Sequence, residues 1–228
     1  LFAIERAVFT DRRIDLPGLV DALQKDLPDP RLTAYLRNLP KYGNDHEAAD
    51  RWTAYVVATF DRLLRQQGQN TRGGAYVPGL YSVTAHAYFG RITGALPSGR
   101  RRGAPFASGI APANGMDRLG PTALINSASR IDYSRTANGI NFNLTFDRHT
   151  LRGAAGPQAL TALLDTWFRK GGMQAQVNVL DPAILLEARR HPGRHPHLLV
   201  RVSGYSAYFA DLTPEMQDEI IARHRIAL

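Results

Sequence analysis

Apolar residues recur at helical spacing through the first seventy positions of the chain, and alternation typical of strands is confined to its last hundred. Leu1, Ile4, Val8 and Phe9 share one side of a helix already under way at the first residue. Leu16-Pro17 opens a second helix through Leu19, Leu23 and Leu27, stopped by Pro28 and Pro30. A third begins at Arg31 and ends at Leu39-Pro40, because the residue before a proline is pushed out of helical backbone. Asn44 and Glu47 have capping-box spacing. Beyond them Trp52, Tyr55, Val56, Phe60, Leu63 and Leu64 predict an amphipathic helix up to Gly68, with its aromatic side in the core.

From Gly73 to Gly120 glycine and proline are frequent and periodicity is weak, apart from a short predicted strand near Tyr81–Thr84. A segment of this kind inside a compact protein is functional or packed against something else, and it places a domain boundary near residue 100. The remainder reads as α/β. Asn126–Ile131 and Gly139–Phe146 are strand-like. Pro157 to Lys170 is a helix with Leu160, Leu163, Leu164, Trp167 and Phe168 on one side, closed by Gly171-Gly172. Gln174–Leu180 alternates amides (Gln174, Gln176, Asn178) with Ala175, Val177 and Val179, a strand with one polar and one apolar face. Asp181 caps the next helix, with Pro182 at its first position and Arg189 and Arg190 at its negative end. His191–His197 is a loop and Leu198–Val202 another strand, so Gln174–Val202 is expected to be a strand–helix–strand unit with parallel strands. Thr213 caps and Pro214 opens a last helix carrying Met216, Ile220 and Ile221.

The 228 residues are 44% hydrophobic and 21% charged, a globular composition. No apolar stretch is long enough to cross a bilayer, and the start has no signal-peptide layout, so no membrane association and a cytoplasmic location are expected. The absence of cysteine excludes disulfides, thiolate metal sites and thiol nucleophiles within this chain. The opening on Leu1, inside a helix, reads as a piece cut from a longer protein. A net charge of +8 raises nucleic-acid binding as an alternative of another class. The arginines are scattered, however, with their densest run at Arg100-Arg101-Arg102, and no aromatic platform is interleaved with them. A solvated surface fits better, and no nucleic-acid partner is expected. His191, His195 and His197 lie among prolines without an acidic partner, so no metal is expected. His86 reads as a hydrogen-bonded core histidine following a strand.

Gly204, between Val202 and Tyr205 at a strand end, marks a bend, a bulge or a close approach, and its spacing alone assigns nothing more. The segment around it closely resembles the signature of the glycyl radical enzymes, Arg-Val-x-Gly-Tyr-x-Ala-x-Phe, with Arg201, Val202, Gly204, Tyr205, Ala207 and Phe209 in the fixed positions and Ser203 and Ser206 in variable ones. Gly171–Asp181 and Asp218–Arg223 are similar to the family's preceding strand and terminal helix. So, further back, are Ser82–His86, Gly94–Arg100, Gly120–Ala123 and Pro40–Asp45.

The resemblance implies a fold and a role. The fold is α/β, the C-terminal part of a ten-stranded barrel with helices packed outside, with residues 1–100 ending the pyruvate formate-lyase-like barrel domain and 101–228 forming the glycine radical domain. The role is storage of a backbone radical at Gly204, installed by a separate S-adenosylmethionine-dependent iron–sulfur activating enzyme, with no cofactor otherwise bound. The radical passes to a catalytic cysteine upstream of this chain, for elimination or C–C cleavage of a small organic substrate. Gln174, Gln176 and Asn178 are expected to face the barrel interior, and Tyr205 and Tyr208 to shield the radical. A homodimer, or a short radical-bearing subunit that complements a partner enzyme, is compatible with the same likeness.

Overall fold

The computed structural model describes residues 1–146, 148 and 151–224. Its first layer is helical. A turn of α-helix, α1 (Phe2–Ile4), runs into a π-helical turn over Glu5–Thr10, closed by Asp11 N donating to Arg6 O at 2.7 Å. The wider π turn rotates the helix, so Ala3 and Ala7 are its buried residues while Phe9 is 66% exposed. The expected stripe therefore holds only for Ile4 and Val8, which flank the core. Helices α2 (Leu16–Gln24) and α3 (Pro30–Asn38) start as aspartate–proline chemistry dictates: Asp15 accepts from Gly18 N and Asp29 from Arg31 N. Leu19, Leu27 and Leu36 join Ala3 and Ala7 in one cluster.

Helix α4 (Glu47–Gln66) departs from its amphipathic reading. Its buried residues are Ala49, Asp50, Val57 and Asp61, whereas Tyr55, Val56, Phe60 and Leu63 are exposed. The polar face can be buried because its carboxylates are paired. Asp50 accepts from Ser127 Oγ at 2.8 Å, and Asp61 meets Arg65 and Arg135 at 2.9 and 3.2 Å. The capping box does not form either. Asn44 spends its amide on another loop, accepting from Arg118 N and Leu119 N and donating to Met116 O.

The strand expected near Tyr81–Thr84 is a turn leading into helix α5 (Ala85–Ile92), with one isolated parallel bridge from Leu80 to Ile140. The first half of Asn126–Ile131 likewise falls in a helix, α6 (Gly120–Ala128), with Pro121 in its first turn. A few alternating residues cannot separate the two periods, and the proline start decides for the helix. Arg100 is no solvated loop residue. Its guanidinium lies 4.5 Å over the Phe106 ring and donates to the carbonyls of Gly90, Thr93, Gly94 and Ala104.

The α/β part is built on two pairs of strands. Strand β1 (Asn143–Phe146) runs parallel to β2 (Gln176–Val179), with helix α7 (Ala155–Arg169) between them in sequence. The apolar face of this pair supplies Phe142, Leu144 and Phe146 to a core centred on the buried Trp167, whose ring lies 4.7 Å from Phe142 and 5.3 Å from Tyr133. Helix α8 (Pro182–Arg190) follows, capped by Asp181 as expected. Strand β3 (Leu199–Arg201) does not pair with β2, which corrects the strand–helix–strand reading. It pairs antiparallel with β4 (Ser206–Tyr208), because a tight turn at Ser203-Gly204 folds the chain back on itself. Helix α9 (Pro214–His224) begins with Met216 N bonded to Thr213 Oγ1, and packs Met216, Ile220 and Ile221 against Val200, Val202 and Phe209. Among the described residues no helix is long and apolar enough to cross a membrane.

Candidate functional site

The β3–β4 hairpin closes with Val202 N donating to Tyr205 O at 2.9 Å, leaving Ser203 and Gly204 as a two-residue turn. Gly204 sits at φ +88°, which L side chains adopt only at a cost. Space is not the reason for glycine here, since an added Cβ would meet nothing nearer than Asn141 Nδ2 at 3.9 Å. Val202, Ser203 and Phe209 are buried, and Ala207 is half-buried. Arg201, Gly204, Tyr205, Ser206 and Tyr208 are exposed, and Arg201 Nη1 donates to Ser206 Oγ at 3.1 Å. The expected shielding by Tyr205 and Tyr208 is thus not formed within this chain, where the two residues are 38% and 44% exposed.

Facing the turn is the polar side of the β1–β2 pair. The register sets Asn143 beside Gln176 and Thr145 beside Asn178, so these residues share a face. Gln176 and Asn178 are buried, and Gln176 Oε1 accepts from Gly204 N at 2.9 Å and from Asn141 Nδ2 at 3.5 Å. Gln174 does not belong with them. It precedes β2, is half-buried, and accepts from Phe142 N at 2.9 Å, fastening the entry of β1. Asn143 Nδ2 donates to Ser108 Oγ at 3.1 Å. Among the described residues, Asn141 Oδ1, Asn143 Oδ1, Gln176 Nε2, Asn178 Nδ2 and Ser203 Oγ are buried without a partner, an unusual concentration of unmet polar groups.

The other side of the turn is held from α9. Arg223 Nη1 donates to Val202 O at 2.7 Å and Arg201 O at 3.4 Å, the carbonyls just before Ser203-Gly204. The same guanidinium is paired with Glu219, Nη2 to Oε2 at 2.6 Å and Nε to Oε1 at 2.9 Å. His86 Nε2 lies 3.5 Å from Glu219 Oε1, and its Nδ1 is 3.0 Å from Ser82 Oγ. His86 is the buried histidine the sequence suggested, on a helix instead of after a strand. The roles of Glu219 and Arg223 were not legible. Their i, i+4 spacing was the available signal, and it looks the same for a solvated pair.

Burial of Glu219 pushes its carboxyl pKa upward, but the contacts with His86 and Arg223 outweigh that and pull it from 4.5 to about 2. A folded-state pKa below the unfolded one stabilises the protein above pH 4.5, and the contribution is lost as pH falls towards 2. On the order of 3 kcal/mol is at stake. Between pH 5 and 2 the hairpin and α9 should therefore lose amide-exchange protection steeply, and Glu219→Gln should flatten that dependence.

The loop histidines do not converge. His195 has an acidic partner after all, Glu187 at 3.2 Å, and His197 lies edge-on to Tyr208 at 6.3 Å. A cavity of about 680 Å³ bordered by Lys41, Arg100, Phe106, Met116 and Glu219 includes no residue of the 201–209 segment.

The glycine radical family model matches residues 106–210, which contain the whole hairpin and its turn, and the pyruvate formate lyase-like model matches residues 1–90. The chain belongs to the glycyl radical enzymes. It is 37% identical over 233 aligned positions to the probable dehydratase YbiW of Escherichia coli (strain K12), covering 98% of this chain and 29% of that protein. It is 35% identical to the trans-4-hydroxy-L-proline dehydratase of Clostridioides difficile, covering 98% of this chain and 28% of the relative. The glycerol-bound form of the B12-independent glycerol dehydratase from Clostridium butyricum superposes with a TM-score of 0.94 at 38% identity, over 98% of this chain and 28% of that one. The chain thus spans less than a third of the length of these glycyl radical enzymes, and its mixed helix and strand architecture matches theirs over that span.

Proposed function

We propose that this chain carries the radical-storing turn of a glycyl radical enzyme, with the unpaired electron at Gly204 Cα. The observation that carries the reading is a glycine at φ +88° with no steric demand for its small size, in a hairpin turn held from two sides, at the Gly204 N–H and at the Val202 carbonyl. A carbon-centred radical between two amides is stabilised by delocalisation into both, which needs a near-planar centre. A side chain would crowd that geometry, and glycine has none. A separate S-adenosylmethionine-dependent iron–sulfur activating enzyme would remove the hydrogen atom, and a cysteine thiol outside this chain would receive the radical and attack the substrate. Residues 1–100 would end the barrel domain and residues 101–228 form the glycine radical domain. The parallel β1–β2 pair, with an amide face towards Gly204, fits strands of a ten-stranded barrel seen from its interior.

For the reaction we favour elimination from a small polar molecule bearing a hydroxyl group. Similarity to proteins described as dehydratases supports this, as does the neutral polar face at the turn. A carbon radical exposed to oxygen is cut at its own backbone. Air admitted to the anaerobically activated full-length protein should therefore split the chain at Gly204, as read by mass spectrometry, and unactivated protein should stay whole. Cleavage elsewhere, or none, would overturn the proposal.

A further inference from the structure

We infer that Gln176 is a positioning residue for the radical centre, acting through the Gly204 amide; this rests on the reading of Gly204 given above. Three observations converge on it. First, the hairpin closes through Val202 N and Tyr205 O, so the Gly204 N–H is not needed for strand pairing, and it is given to a side chain of the other sheet at 2.9 Å. Second, the identity of the accepting atom is fixed by chemistry, because a backbone N–H only donates and the atom facing it must be the amide oxygen. Asn141 Nδ2 donates to that same oxygen and holds the carboxamide in this orientation. Third, Gln176 is 3% exposed and its Nε2 has no partner among the described residues. Burying an amide nitrogen unmet is costly, and a leucine of similar size would avoid it. Packing alone does not explain a glutamine here, whereas an acceptor for Gly204 does.

The consequence is electronic as well as geometric. An acceptor on the N–H increases the electron density of the Gly204 nitrogen, the group that donates into the half-filled orbital at Cα. It also fixes the plane of that amide relative to the Cα–H bond to be broken. Gln176 acts on the radical centre through the Gly204 N–H.

The test uses full-length protein as wild type, Gln176→Leu, Gln176→Met and Gln176→Glu. Amide exchange at Gly204 is read before activation, and the electron paramagnetic resonance line shape after anaerobic activation. Loss of the acceptor should speed Gly204 exchange by about tenfold. It should also alter the hyperfine splitting or lower the radical yield several-fold. Gln176→Glu, which keeps an oxygen in place, should return both towards wild type. Gln176→Met fills the same volume without an amide and carries the test if the leucine variant does not fold. Wild-type exchange and line shape in the acceptor-free variants would overturn the inference and leave Gly204 as the radical site. A wild type that gives no glycyl signal would overturn both, and is recognised before any variant is compared.

Discussion

Gly204→Ala should leave the activated protein with no glycyl doublet and no turnover, while the hairpin stays folded. The two effects separate because they have different causes. Alanine at φ +88° costs about 1–2 kcal/mol of backbone strain. Its methyl group meets only Asn141 Nδ2 at 3.9 Å, so no packing is lost. A protein that keeps its circular dichroism spectrum yet yields no signal after activation would show that glycine is required by the chemistry and not by the turn. Retained turnover would refute the role given to this position.

The second large effect is expected at Arg223, which is further from attention in the sequence. Arg223→Met should cost about 3–5 kcal/mol, the range for removing one partner of a buried ion pair. The substitution removes the cationic partner of Glu219, whose side chain is fully buried and keeps only His86 and Asn114 beside it, and also frees the carbonyls of Arg201 and Val202. Amide exchange across residues 199–209 should therefore accelerate by two orders of magnitude or more. Helix α9 should lose protection with it, since Met216, Ile220 and Ile221 pack on the same hairpin. Protection unchanged in both segments would show that the pair does not hold the turn.

What the sequence disclosed and what it hid follow one physical division. Features set by a few neighbouring residues were legible: the proline opening of α2, the Asp181–Pro182 start of α8, the Thr213 cap of α9, and a bend at Gly204, whereas Pro30, expected to stop the preceding helix, opens α3. Features set by distant partners were not. Helix α4 buries Asp50 and Asp61 because Ser127, Arg130 and Arg135 come from far along the chain, and nothing in the helix itself announces them. Strand β3 was expected beside β2, yet its edge goes to β4, since a two-residue turn brings the nearer partner first. The candidate site divides in the same way. Period two placed Gln174, Gln176 and Asn178 on one face, but only the structure shows that the strand begins at Gln176 and that its amide reaches Gly204. Glu219 and Arg223 entered only as part of the family-like terminal helix, and their pairing behind the turn was not legible.

The central claim is that one particular α-carbon holds the unpaired electron. The direct measurement is electron paramagnetic resonance of full-length protein grown on α-deuterated glycine and activated anaerobically without proton back-exchange. A glycine radical retains one α-hydrogen, so the spectrum of unlabelled protein should be a doublet, and deuteration should collapse it to a near singlet that Gly204→Ala abolishes. A signal that keeps its splitting after deuteration, or that persists in Gly204→Ala, would contradict the assignment of the radical to Gly204.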